Sequence, residues 1–496
     1  MKNIAKILRT LCLVMVLSVA GLTLTACDEE EQIDAAHTIF FYNTMGTNLQ
    51  EPLKASIKEF EEKFPGWTVK APQIGGYDEV RSSIISDLQG GTQPDLAYCY
   101  ADHVAQYLVT GKVVNMNKYI NNTNNLNVNV LVDAENGEWG SKEYGVIGYT
   151  AEEVADFVPG YYAEGLATNY SNYEKYGYTA EDMLTLPFQK STEVLYYNAD
   201  ALIELGHFKE VTIEGVAQPV KVATPPTTWD ELWEICEEAK EKGKTDPRWS
   251  KVTPLGYDSE SNWFITMCEQ NGWGYTSADS SNHYLFNNEK TAAWLDQLAD
   301  YYNKGYFTTQ EIYGSYSSNL FVKGIEEGGT IFSIGSSGGA SYQATEKFEW
   351  GVAPLPGSKL EDNTINNAAI SQGPSLVMFD TSAENAAEKQ LMTWEYVKIL
   401  LSPKYQYKFA GVSGYMPARL STYDDPDYIK DLADEDNIAA VTCLVAKSMT
   451  DRYFTSPAFV GSSTARDQVG VALRYVITGS KTATAALTEA ARKCGA

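Results

Sequence analysis

The sequence predicts an α/β fold divided into more than one lobe. Its 496 residues exceed what a single hydrophobic core usually spans and suit two or three lobes of ordinary size. Hydrophobic residues make up 44% and charged residues 21%, enough apolar content to build those cores. From Thr38 onward, short apolar runs alternate with segments whose apolar residues recur every three or four positions. That is the rhythm of strands joined by crossover helices.

The first expected element is a strand at Thr38–Tyr42, a short apolar run. Leu49, Leu53, Ile57, Phe60 and Phe64 then mark one face of a helix that Pro65 stops. Trp67 to Val69 starts a second strand, and Val80, Ile84 and Leu88 define a helix closed by Gly90-Gly91. Asp95–Tyr100 is a third strand, followed by a helix through Val104 and Leu108 to Gly111. Residues 121–178 break the rhythm. Asn121–Val128 reads as loop, and Tyr144–Tyr178 as irregular surface around a helix. Order resumes with a strand at Thr192–Tyr197. After Pro225-Pro226, Thr228-Trp229-Asp230-Glu231 has capping-box spacing, and Leu232, Ile235 and Ala239 follow at helical steps. Further helices are expected at 291–302, 382–401 and 464–477, and further strands at 330–334 and 375–379.

The first residues set the compartment. Lys2, Lys6 and Arg9 accompany an apolar stretch from Leu11 to Leu24, signal-peptide length and too short for a comfortable bilayer span. Leu24-Thr25-Ala26-Cys27 follows and resembles a bacterial lipobox. The resemblance implies removal of residues 1–26 and a diacylglyceryl group on Cys27, whose two chains suffice for stable anchoring. Residues 27–37, rich in Asp and Glu, read as a flexible tether. An ordinary secretory signal with a chance Cys is the alternative. The expected location is the extracellular face of the cytoplasmic membrane, on the periplasmic side if an outer membrane exists.

Lys plus Arg total 38 against 65 Asp plus Glu, a formal net charge of -27. Nucleic acid is therefore not an expected partner, because phosphate contacts need clustered cations. The four His, at 37, 103, 207 and 283, are too scattered for metal-ligand spacing, so neither metal nor cofactor is expected. Beyond the N-terminal segment, Cys99, Cys236, Cys268, Cys443 and Cys494 are odd in number and widely spaced, which implies no disulfide framework. Cys99 and Cys236 sit in apolar patterns and read as core. Gly335-Ser336-Ser337-Gly338-Gly339 has nucleophile-elbow spacing, but no His follows it, so it reads as a turn after a strand. No catalytic residue is assigned.

Nine further segments carry the functional meaning. They are Tyr42-Asn43-Thr44-Met45-Gly46, Gly76-Tyr77, Pro94-Asp95-Leu96, Phe157 to Tyr162, and Leu186-Pro187-Phe188-Gln189-Lys190-Ser191-Thr192 with its continuation to Asn198. Pro226 to Leu232, Trp350 to Gly357, Gly373-Pro374-Ser375-Leu376, and Ser413-Gly414-Tyr415-Met416-Pro417 complete the series. In this order they resemble the extracellular solute-binding proteins of carbohydrate ABC importers, nearest to the glycerol-3-phosphate and multiple-sugar branch. The resemblance runs from about Thr38 to the C-terminus. It implies a two-lobed periplasmic-binding-protein-like α/β fold, with hinge strands and a central cleft that closes on its ligand.

Carried over position by position, the resemblance implies a cleft lined by Tyr77, Asp102, Ser191, Ser336, Ser337, Gly338, Gly373 and Tyr415. Trp263 and Trp273 are stacking platforms or core residues. Where the phosphate-binding branch carries an Arg, this chain has Phe459, and Arg466 is the cation that could substitute. The ligand expected is therefore a neutral mono- or oligosaccharide. Expected partners are this small carbohydrate, the transmembrane subunits of an ABC permease, and the membrane through the lipid anchor. A monomer is expected. A lipid-anchored glycoside hydrolase, a glycerophosphate or glycerophosphodiester receptor, and a sensing or adhesion protein stay open. The expected lobes are 38–190 with 336–372, and 191–335 with 373–496.

Overall fold

The computed structural model describes residues 34–212, 218–279, 281–381 and 385–495. The signal segment, Cys27 and the tether up to residue 33 lie outside the described residues, as does the start of the helix expected from residue 382.

Two five-stranded sheets organise the chain, each within its own core. The first runs Thr68–Lys70, Thr38–Tyr42, Leu96–Cys99, Ser375–Met378, Leu186–Pro187. Its first three strands are parallel and the last two pair antiparallel. The expected helices, Gln50–Lys63, Tyr77–Gly90 and Ala101–Tyr107, connect its parallel strands or follow the third. Apolar stripes such as Leu53 and Phe60 pack on Ile39, Phe41, Leu96 and Trp394.

The second sheet runs Phe307–Thr309, Leu255–Tyr257, Phe332–Ser336, Glu193–Asn198, Trp350–Pro354. The first three are parallel, and Glu193–Asn198 pairs antiparallel on both sides. Thr228 begins the helix Trp229–Lys242 with the expected capping box. The terminal helices Ser462–Ile477 and Ala483–Cys494 join this second core, as expected.

The lobe limits differ from the expectation at two segments. Trp350–Pro354 belongs to the second sheet, whereas 336–372 was expected in lobe one. Ser375–Met378 lies between Leu96–Cys99 and Leu186–Pro187 in the first sheet, and the helix Ala386–Leu400 packs in the first core, whereas residues from 373 on were expected in lobe two. Both strands are short apolar runs, and periodicity does not specify a partner hundreds of residues away. A second difference is the hairpin Asn125–Asp133 and Glu138–Val146, where loop was expected over Asn121–Val128. Asn125 to Val130 alternates polar and apolar, and Leu126, Val128 and Val130 are the buried side chains.

The chain crosses between lobes three times. The first two crossings, at 190–193 and 370–375, are tied together: Ser191 and Gln372 exchange backbone hydrogen bonds of 2.9 and 2.8 Å. The third follows the helix Pro403–Ala410, where Met416–Pro417 pairs with Gln189–Lys190. Among the described residues, no helix is long and apolar enough to cross a membrane.

Candidate functional site

Parallel strands from both sheets end at the gap between the lobes, the position where open α/β sheets bind ligands. Leu96–Cys99 delivers Tyr100 and Asp102, Leu255–Tyr257 delivers Asp258, and Phe332–Ser336 delivers Ser337 and Gly338. At the hinge end the gap narrows to a cavity of about 60 Å³, lined by Tyr100, Asp102, Lys190, Tyr275, Gly373 and Arg466 among others. That is room for a few waters.

An ion pair joins the lobes here. Arg466, in the first turns of Ser462–Ile477, donates from Nε to Asp102 Oδ2 at 2.8 Å and from Nη1 to Asn262 Oδ1 at 2.8 Å. Burial alone would raise the Asp102 carboxyl, but Arg466, with His103 and Arg81, outweighs it and holds the group down at about 2. The other oxygen, Oδ1, is buried without a hydrogen-bond partner. A second pair spans the lobes nearby, Arg81 Nη2 to Asp467 Oδ2 at 2.8 Å. Burial pushes the adjacent His103 down to about 4, so it is neutral at ordinary pH.

The wall from lobe one is aromatic. Tyr77 opens the helix Tyr77–Gly90 and stacks on Tyr100, with ring centroids 4.2 Å apart and planes 23° from parallel. Tyr415 completes the group. Burial raises its hydroxyl, and the neighbouring Tyr77 hydroxyl opposes that rise. Gly338 sits against the face of Tyr415, where an added Cβ would strike the ring.

Lobe two holds two carboxyls raised by burial, of which Glu193 is only 1% exposed. Glu193, at the start of its strand, accepts from the Tyr257 hydroxyl at 2.6 Å, and burial pushes its carboxyl up to about 7. Asp258 Oδ1 accepts from the Ser317 N–H at 2.6 Å, and burial pushes that carboxyl up to about 6. Burial thus favours the neutral form of both groups relative to an exposed carboxyl.

Of the residues expected in the cleft, Tyr77, Asp102, Gly338 and Tyr415 come together as neighbours across the gap. Ser191, Ser336, Ser337 and Gly373 lie at the hinge, with bonds to other segments of the chain. Ser337 N–H donates to the Thr192 carbonyl at 2.8 Å, and Ser336 Oγ accepts from Gly338 N–H at 3.2 Å. Gly373, at φ +91°, presses on the backbone of Gln189 to Ser191. Trp263 is a correction: it is a core residue. It is 1% exposed and stacks on Tyr257 at 4.5 Å, with Trp229 and Trp233 also alongside. Trp273 packs on the flank of the same core, and it is Tyr275, two residues on, that lines the cavity. Phe459 is buried and stacked on His283 at 4.2 Å.

Glu193, Asp258, Tyr275, Tyr316 and Tyr342 were not singled out in the sequence. Asp258 carried the most signal, as a carboxylate directly after a predicted-length apolar run and before the helix cap Ser259. The five Cys of the described residues are all free, and Cys99 and Cys236 are buried as expected. No group of three His, Cys, Asp or Glu among the described residues could hold a metal ion.

The profile of a family described as bacterial extracellular solute-binding protein matches residues 55–434. A curated relative, the sn-glycerol-3-phosphate-binding periplasmic protein UgpB of Rhizobium meliloti, is 26% identical over 256 residues, 49% of this chain and 51% of the relative. The match thus spans about half the length of that relative. The crystal structure of UgpB from Mycobacterium tuberculosis in complex with glycerophosphocholine superposes with a TM-score of 0.66 at 18% identity, covering 92% of this chain and 97% of the other. The GacH receptor of Streptomyces glaucescens, solved unliganded and with acarbose, gives 0.64 at 16% identity, covering 92% and 98%. These structural likenesses establish the two-lobed fold.

Proposed function

This chain belongs to the bacterial extracellular solute-binding proteins, and from that membership we propose that it captures a neutral saccharide outside the cell and delivers it to an ABC permease by closing its lobes. The observation that supports the saccharide reading is an aromatic pair, Tyr77 stacked on Tyr100, beside a cavity that Tyr100 lines together with polar side chains such as Asp102, Gln372 and Thr185. Sugars offer apolar ring faces and polar edges, and need flat aromatic surfaces together with convergent donors and acceptors.

The same site supports a neutral ligand over a phosphate. The Arg466 guanidinium already serves Asp102 and Asn262, and Glu193 and Asp258 stand on its side of the cleft. A phosphate would need a free cationic fork, and the Nε and Nη1 of Arg466 are already engaged. Glycerophosphate recognition is the second reading, favoured by the ligands named for UgpB proteins and by the nearness of Arg466 to the cavity.

A thermal-shift panel separates these readings. Mono- and oligosaccharides, glycerol 3-phosphate and glycerophosphocholine are added to the purified protein. A ligand at about 100 times its Kd stabilises the native state by about 2.7 kcal/mol. A shift with neutral sugars is the expected result. Shifts confined to the glycerophosphates would overturn the neutral-ligand reading, and oligosaccharide hydrolysis would point to an enzyme.

The lobes that move are, in this reading, 38–190 with about 375–415, and about 193–370 with the terminal helices. The anchor rests on Leu24-Thr25-Ala26-Cys27. Cys27→Ser is expected to move the protein from the membrane fraction to the soluble one and to abolish labelling by radioactive palmitate. Unchanged fractionation would refute the lipid anchor.

A further inference from the structure

Side chains of the two lobes also meet outside the cavity, on both faces of the first sheet. Val377 belongs to the core on one face, and its neighbours Leu376 and Met378 to the core on the other. On the Val377 face lies the helix Tyr77–Gly90, packed through Val80 and Ile84. Its Arg81 donates from Nη2 to Asp467 Oδ2 at 2.8 Å, and the two side chains are 12% and 33% exposed. Asp467 follows Arg466 in the helix Ser462–Ile477. Two consecutive charges of lobe two thus meet two opposite charges of lobe one, Arg466 on Asp102 and Asp467 on Arg81. Arg81 also lies 3.3 Å from Asp78 Oδ1 on its own helix and is close to Asp102, so it stands among three carboxylates. On the other face, beside Leu49 and Leu53, Tyr342 donates from its hydroxyl to Asn48 Oδ1 at 2.9 Å, and Asn48 Nδ2 donates to Ser341 Oγ at 3.1 Å. Gly46 admits this approach, since a Cβ there would lie 2.8 Å from the Tyr342 hydroxyl. All these bonds run directly from one lobe to the other and use no group of a ligand.

We infer that Arg81–Asp467 and Asn48–Tyr342 are two clasps, one ionic and one neutral, that hold the lobes together before a ligand binds and so set the receptor's affinity from outside its site. Apparent affinity scales with the fraction of protein in the binding-competent state, here the closed one. Residues that favour closure therefore tighten binding without touching the ligand, and these four act as positioning residues. The two clasps differ in their response to salt. Salt screens partly exposed charges and leaves a neutral hydrogen bond nearly unchanged. The ionic clasp is also asymmetric. Without Arg81, Asp467 faces Asp78 and Asp102 across the gap, and like charges repel. Without Asp467, Arg81 keeps both of those carboxylates. The inference rests on the lobe-closing reading of the function.

The test is small-angle X-ray scattering of the purified protein, first unfolded in guanidinium chloride and refolded to strip any bound ligand. Wild type is compared with Arg81→Met, Arg81→Lys, Asp467→Asn and Tyr342→Phe at about 0.05 M and about 1 M NaCl. Circular-dichroism melts check folding, and if Arg81→Met fails to fold, Asp467→Asn carries the test of the ionic clasp. Wild type at low salt is expected to keep the lobe spacing of this structure, and to open in high salt. Arg81→Met should lower the closed-to-open ratio by about fivefold or more, and Asp467→Asn by less. Both should lose most of the salt response, and Arg81→Lys should keep most of the closure. Tyr342→Phe should open in part while its salt response stays that of wild type. Stripped wild type that is open at low salt overturns both clasps. A salt response undiminished in Asp467→Asn overturns the ionic clasp, and closure unchanged in Tyr342→Phe overturns the neutral one. In each of these cases lobe closure itself stands if a compound of the thermal-shift panel changes the spacing of any variant. If neither salt nor any of those compounds changes it in any variant, the lobe-closing reading falls as well.

Discussion

Arg466→Met is expected to destabilise the protein by about 3–5 kcal/mol at pH 7, because it strands a buried carboxylate. Asp102 has 9% of its side chain exposed and loses both its charge partner and the Nε donor 2.8 Å away. Pairing the change with Asp102→Leu should recover most of the loss, since replacing both partners of a buried pair by apolar groups is often neutral. Urea unfolding of the two single variants and the double variant gives the coupling directly. The pair spans the lobes, so the single variant should also be more open, with a larger radius of gyration by X-ray scattering. Additive effects, with Arg466→Met within about 1 kcal/mol of wild type, would mean that solvent already separates the two groups.

Acid adds a second readout. Asp102 titrates below its unfolded value of 3.8, at about 2. A carboxyl lowered on folding contributes stability that is present above the unfolded pKa and lost as pH falls through the folded one. Wild type should therefore keep this contribution at pH 4 and lose it toward pH 2. In Arg466→Met, burial acts unopposed by that cation and the titration of Asp102 moves upward.

Gly373→Ala is expected to cost about 3–5 kcal/mol, from left-handed backbone strain and overpacking together. Gly373 has φ +91°, and its Cβ would fall on the Gln189 carbonyl, 2.7 Å from Lys190 Cα and 2.8 Å from Ser191 N. Those neighbours are backbone of the first crossing and are held by the Ser191–Gln372 bonds, so they cannot step aside as a side chain would. Gly91→Ala is the control. Its φ is +74° with nothing near the added Cβ, so only the conformational term of about 1–2 kcal/mol applies. Equal losses in the two variants would show that the crossings separate easily. A much larger loss at Gly373 would show that the hinge is a packed joint.

Several elements were legible in the sequence because their signals are local. The helix Trp229–Lys242 announces itself by a capping box and an apolar stripe. The strands Thr38–Tyr42 and Leu96–Cys99 are short apolar runs between helices. The hairpin Asn125–Asp133 with Glu138–Val146 had a readable alternation, masked by Asn, which is depleted in strands. Tyr77, Asp102, Gly338 and Tyr415 were singled out through their motifs, and in the fold Tyr77 stacks on Tyr100 while Gly338 abuts Tyr415. Trp263 was ambiguous because a Trp within a helix is the same in sequence whether it faces ligand or core.

What the sequence by itself determined is the set of pieces: the α/β alternation, the helix caps, the glycine turns, the anionic balance and the order of the hinge motifs. Each depends on residues within a few positions of one another, where propensity and periodicity act. Tertiary structure alone decided which sheet Trp350–Pro354 and Ser375–Met378 enter, that Arg466 meets Asp102 across 364 positions, and that Tyr342 meets Asn48 across 294. Strand partners and ion pairs of that separation are chosen by burial and by the need to satisfy backbone and charge once the chain has collapsed. That choice is made among distant segments that are locally alike, so no local pattern encodes it.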